Sequence, residues 1–138
     1  MTDPDLVRKK LALIETCVAD LRRLARLDVL ATDVREQRFI EHTLQVAIQA
    51  ALDVASHIVS DERLGEPRTN RDLFVSLERV TSISPELVTA LGNMAGFRNI
   101  LVHGYDDVDL GIVRDIVEHH LDDLLAFVRV VNSVIDRS

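Results

Sequence analysis

Apolar residues recur at steps of three and four along almost the whole chain, and that period selects helices over strands. Five helical segments and no convincing strand are predicted. The first runs from about Asp5 to Leu27, with Leu6, Leu13, Ile14, Cys17, Val18 and Leu21 on its apolar stripe. The second runs from about Asp33 to Ser60, and its main stripe includes Ile40, Leu44, Ala47, Ile48, Ala51 and Ile58. Val46, Ala50 and Val54 add a narrower apolar strip to that same helix. A helix that is apolar on two sides is either central to a bundle or part of a subunit interface.

Punctuation in the sequence separates the remaining segments. Gly65 and Pro67 mark a loop. Thr69, with Asp72 three residues on, resembles a capping box and opens a short helix reaching about Val80. Ser84-Pro85-Glu86 supplies a cap, a first-turn proline and an acid at the positive end of a fourth helix, which should end near His103-Gly104. Asp106, Asp107 and Asp109 form an acidic turn, and Asp107 or Asp109 is expected to cap a last helix from about Leu110 to Ile135. Val113, Val117, Leu121, Leu124, Val128 and Val131 form its stripe. Four long helices, one short helix and short connections describe an all-α, up-down four-helix bundle. Residues 1–138 are expected to form one domain.

Composition narrows the function classes. With no Trp and only 4% aromatic residues, the core must be aliphatic. The single cysteine, Cys17, excludes an internal disulfide, reads as a small buried hydrophobe and fits a reducing, cytoplasmic setting. The charged start, MTDPDLVRKK, has no apolar stretch behind it, and no run of 18 apolar residues occurs, so neither a secretion signal nor a spanning helix is expected. A formal net charge of −7 argues against broad, charge-driven binding of nucleic acid but leaves room for a small local site. No zinc-type Cys/His spacing, Gly-rich phosphate loop or nucleophile elbow is present, so no metal and no cofactor are expected.

The segment Phe97-Arg98-Asn99-Ile100-Leu101-Val102-His103-Gly104-Tyr105 carries the chemistry. It gathers Arg, Asn, His and the chain's only Tyr around one helix end. On a straight helix Arg98 and His103 lie about 140° apart, whereas Asn99 and His103 share a face. Convergence within one chain requires the helix to loosen near Val102 to Gly104. The other solution is a dimer, in which two copies of this helix end line one cleft. At a helix C-terminus the dipole favours the imidazolium form of His103, and a neighbouring guanidinium opposes it. The opposition leaves His103 able to exchange protons near neutral pH.

Arg, four residues, His, one residue, Tyr is a pattern that resembles the signature of the HepT-like proteins of the HEPN superfamily. The resemblance extends from about Leu6 to Val131 and includes Met94-Ala95-Gly96, Val108-Asp109 and Arg71-Asp72-Leu73-Phe74. It implies a HEPN-like homodimer and a metal-independent endoribonuclease toxin. It further implies a cognate minimal nucleotidyltransferase antitoxin, MntA-like, which neutralises the toxin by attaching AMP to the motif tyrosine. An RNA strand supplies its own nucleophile, the 2′-hydroxyl. His103 then suits the proton transfers, and Arg98 suits the crowded phosphate, which its guanidinium can hold through two oxygens. Asn99 would fix the His103 ring or hold a phosphate oxygen. Tyr105 would stack on a base or accept AMP. The rival from another class is a non-catalytic HEPN dimer that binds nucleotide or RNA, or regulates a nucleotidyltransferase partner.

Other polar residues carry weaker signals. His119 and His120 are adjacent, point about 100° apart and chelate poorly. Glu118 and Asp122 read as a solvated acidic pair. His42 and His57 are too far apart along the second helix to share a ligand, and Asp53 and His57, four apart, are expected either to pair with each other or to contribute to a cleft wall.

Overall fold

The computed structural model describes residues 3–103 and 108–136, with the His103 side chain excepted. Six α-helices account for most of it: α1 (Pro4–Leu24), α2 (Val34–Asp61), α3 (Asn70–Ser76), α4 (Pro85–His103), α5 (Leu110–His119) and α6 (Leu121–Asp136). Single 3₁₀ turns follow α1 (Leu27–Val29) and α3 (Leu77–Arg79). Among the described residues there is no strand, and no helix is long and apolar enough to cross a membrane.

Side-chain caps start the helices where the sequence places polar residues. Asp3 accepts from the Asp5 amide at 3.0 Å, with Pro4 in the first turn of α1. Asp33 accepts from Arg35 at 2.9 Å to open α2. Thr69 receives the Asp72 amide at 3.0 Å, and Asp109, one of the two expected candidates, receives the Gly111 amide at 2.8 Å. Each cap pairs an amide that the helix itself leaves unsatisfied.

The long helices alternate in direction. Arg8 pairs with Asp136 at 2.7 Å and Arg22 with Asp122 at 2.6 Å, so α1 and α6 run antiparallel. Lys10 pairs with Asp53 at 3.2 Å, so α1 and α2 do as well. The start of α2 (Arg38, His42) faces Leu101 at the end of α4, which makes that pair antiparallel too. The result is an up-down bundle of α1, α2, α4 and α6, with α3 packed on α2 and α4. Phe74 of α3 meets Phe127 of α6 edge to face, centroids 5.9 Å apart.

The two apolar strips of α2 have a common explanation. Ala50 and Val54, on the narrower strip, are as buried as Ile40 and Leu44 on the main one. α2 touches α1, α3, α4 and α6, so it is the central helix of this chain. Every buried residue of the described core is hydrophobic, and most are aliphatic.

Two expected boundaries change. α1 ends at Leu24, where Ala25 turns to an extended conformation and the chain enters the 3₁₀ turn before α2. The last helix is two. α5 buries Val113 and Ile116, with Val117 only partly covered. Continuing by three or four from Ile116 would bring His119 or His120 inward. The chain breaks at His120 instead (φ −123°, ψ 3°), and Leu121 and Leu124 of α6 face the core. Arg114 anchors α5 by donating to the Leu27 carbonyl at 2.6 Å.

Candidate active site at the end of the fourth helix

α4 carries the motif, and its first turns fix its position. Ser84 accepts from the Leu87 amide at 3.1 Å, and Glu86 lies in the first turn. Leu87, Val88, Leu91, Met94, Ala95, Phe97 and Leu101 are buried against the bundle. The apolar anchor continues to Leu101, so the last turn projects from a supported helix.

Around Leu101 the character changes. Arg98 is half-buried, Asn99 is exposed, and Ile100 is exposed despite its aliphatic side chain. Arg98 donates through Nη1 to Asn99 Oδ1 at 3.2 Å. Its Nε lies out of water and has no hydrogen-bond partner among the described residues. Leaving such a donor unpaired costs about 1–3 kcal/mol. Asn99 therefore orients Arg98 through its carbonyl oxygen, and its exposed amide nitrogen is left as a donor.

α4 stays helical through His103. Loosening at Val102 or His103 does not occur, so backbone positions 98 and 103 lie about 140° apart around the axis. The His103 side chain, Gly104 and Tyr105 lie outside the described residues, as do the expected helix stop at Gly104 and the alternative cap Asp107.

Beside this helix end is a groove of about 280 Å³ lined by Arg38, Glu41, His42 and Gln45 of α2 and by Leu101. Burial pushes the Glu41 carboxyl above its ordinary pKa, and Arg38, 3.7 Å away, opposes the shift. Sequence reasoning passed over Arg38 and Glu41. The available signal was a polar row at positions 38, 41, 42 and 45, spaced by three and four along one side of the helix.

The remaining candidates resolve into structural pairs. His57 lies 3.7 Å from Asp61, not paired with Asp53; Asp53 instead holds Lys10 and accepts from Gln49 at 2.7 Å. His119 sits 3.8 Å from Glu118 and is exposed. His120 lies between two carboxylates: Nδ1 is 2.9 Å from Asp123 and Nε2 is 3.2 Å from Asp115. The Asp123 hydrogen bond is the main cause that raises the His120 pKa, and partial burial opposes it. Asp122 and Glu118 are solvated, as expected, and hold Arg22 and Arg114 respectively. Cys17 is buried, and burial, helped by Asp20, raises its thiol pKa away from reactivity. Among the described residues no group of His, Cys, Asp and Glu is arranged to hold a metal ion.

Known proteins share this architecture and its sequence. Residues 14–131 match the family model described as "Ribonuclease HepT-like". The chain is 32% identical to the mRNA nuclease HepT of Shewanella oneidensis over 130 residues, which is 94% of this chain and 98% of that one. It is also 32% identical to the tRNA nuclease HepT of Aphanizomenon flos-aquae over 133 residues, 95% of this chain and 90% of that one. A solved structure of the tri-AMPylated Shewanella oneidensis HEPN toxin in complex with MNT antitoxin superposes with a TM-score of 0.85 at 32% identity, covering 96% of this chain and 99% of that one. With a family match across most of its length and relatives of this similarity, the chain belongs to the HepT-like ribonuclease family.

Proposed function

We propose that this chain is the toxin of a toxin–antitoxin pair: a cytoplasmic, metal-independent endoribonuclease in which Arg98 and His103 act from a cleft between two copies. The observation that carries the reading is Arg98. Its guanidinium is half-buried, aimed by Asn99 and left with an Nε that has no partner among the described residues at the end of the motif helix. A phosphate oxygen, or a group across a dimer interface, completes it.

The regular helix favours a dimer. Positions 98 and 103 lie about 140° apart around it, an arrangement that two facing helix ends would reconcile around one phosphate. Two helix ends facing each other place an Arg98 and an Asn99 from one copy opposite a His103 from the other. The exposed Ile100 supplies apolar surface at that position.

In the reaction, the 2′-oxygen forms a bond to the adjacent phosphorus and the bond from phosphorus to the 5′-oxygen breaks. A neutral His103 takes the 2′-proton, and the protonated His103 of the second copy gives a proton to the departing 5′-oxygen. The products are a cyclic phosphate and a 5′-hydroxyl. Arg98 holds the phosphate as its charge spreads, and Asn99 fixes Arg98 and donates to a phosphate oxygen. Arg38 adds a second cation beside the helix end, which supplies local attraction for RNA against the overall charge of −7.

Regulation comes from the partner class of the relatives. A minimal nucleotidyltransferase antitoxin attaches AMP to Tyr105, two residues beyond His103, and the added charge and bulk exclude RNA from the cleft. The HEPN toxin of Shewanella oneidensis is AMPylated and in complex with its antitoxin.

The test is growth of cells expressing wild type or His103→Ala without an antitoxin, with total RNA run alongside and the mass of Tyr105 peptides measured. Arrest and RNA cleavage by unmodified wild type alone support the enzyme. Harmless, unmodified wild type that leaves RNA intact contradicts it and favours a binding or regulatory dimer.

A further inference from the structure

On the flank of α4 facing α5 and the start of α6 there is a cavity of about 170 Å³. Met94, Phe97, Ile112 and Ile116 give it apolar walls, and Asn93 and Asp115 give it polar edges. An apolar cavity of about 150 Å³ holds one benzene ring, so this one suits a single six-membered ring. Its position is set by the motif helix. Phe97 immediately precedes Arg98, and Met94 lies four residues earlier, about 40° around the helix from it. The cavity therefore lies on the same helix as Arg98, within about one turn of it, which is the spacing a base next to a phosphate held by Arg98 would need.

The polar edges select among rings. Asp115 is an acceptor-only carboxylate, held 3.2 Å from His120 Nε2, while His120 is itself held by Asp123. That chain of contacts crosses the break between α5 and α6 and fixes the carboxylate at the cavity wall. A carboxylate accepts from the 4-amino group of cytosine and repels the 4-oxygen of uracil. The Asn93 amide supplies a donor for cytosine's ring nitrogen or 2-oxygen. Adenine also has an amino group but carries a second ring that the volume does not accommodate.

The geometry points to a base subsite between α4 and α5 that receives a cytosine next to the scissile phosphate, with Asp115 and Asn93 reading its edge. This rests on the ribonuclease reading for its place in the reaction, and its test by binding is independent of cleavage.

The purified full chain is titrated with cytidine 3′-phosphate, uridine 3′-phosphate, adenosine 3′-phosphate and ribose 5-phosphate, and binding is followed by calorimetry. Wild type is expected to favour cytidine 3′-phosphate over the other two nucleotides by about 10-fold. Asp115→Asn, which can both donate and accept, brings cytidine and uridine to within about 2-fold of each other. Ile112→Trp, a change at an exposed position on the rim, weakens all three nucleotides and leaves ribose 5-phosphate unchanged. Equal affinity for every ligand in wild type overturns the subsite, as does an undiminished cytidine preference in both variants when their melting curves match wild type. Cytidine selectivity in a protein that cuts no RNA sustains the subsite and removes the ribonuclease reading. RNA cleavage by a protein that binds all four ligands equally does the reverse.

Discussion

The two ends of α4 are built on opposite principles. At its start, Ser84 pairs an amide of the first turn and Leu87, Val88 and Leu91 are buried, so local chemistry and tertiary packing agree. At its end, Arg98 has a donor out of water with no partner among the described residues, Asn99 turns its side chain to its neighbour, and Ile100 faces solvent. Consistency of that first kind specifies a fold, and its local failure marks a place kept for a ligand or a partner. The first end serves stability, and the second is where the proposed reaction is placed.

Substitutions separate the two ends, and the largest effect is expected at the reactive one. Arg98→Ala should lower kcat/KM for RNA cleavage by about 10²–10³-fold, the range for losing one group that stabilises a developing charge. Because it also removes an unsatisfied donor, its denaturation midpoint should equal or exceed that of wild type. A clear loss of stability would place Arg98 in the scaffold instead. At the other end, Leu91→Ala removes a side chain that is 1% exposed. It should cost about 2–5 kcal/mol in urea unfolding, with normal kcat/KM in the protein that remains folded. Ser84→Ala is milder: about 1 kcal/mol of stability and no change in cleavage.

The smallest effect belongs to His120 and depends on pH. Its folded pKa is raised above the ordinary value of 6.5, chiefly by the Asp123 hydrogen bond. The stabilisation is therefore fully present below about pH 6.5 and is lost as pH rises through the raised folded value. Melting temperatures of wild type and His120→Gln should differ most in mild acid and converge in alkali. A gap that widens with pH would show that His120 acts as a neutral cap and not as a cation between two carboxylates.

The same contrast decides what the sequence discloses. The bundle is legible because apolar period and capping residues act locally: Asp33, Thr69, Ser84 and Asp109 each open the expected helix. The break at His120 was hidden because no Gly or Pro announces it. It arises from a conflict of registers that appears only when Ile116 and Leu121 must both face one core. In the site, the motif itself could be read from its residue types. The role of Asn99 as the group that aims Arg98 could not, since adjacent side chains on a helix ordinarily diverge. Arg38 and Glu41 were invisible for a different reason. They lie some 60 positions before the motif, and only the antiparallel packing of α2 and α4 brings them to Leu101.

The central claim is that His103 moves the protons of a metal-independent RNA cleavage. The direct measurement is incubation of a defined RNA with purified, unmodified wild type or His103→Ala in excess chelator, with the product ends analysed. The account predicts a cyclic phosphate and a 5′-hydroxyl from wild type, and from the folded variant a rate lower by about 10²–10⁴-fold. Equal cleavage by both proteins, or cleavage that vanishes with the chelator, would contradict it.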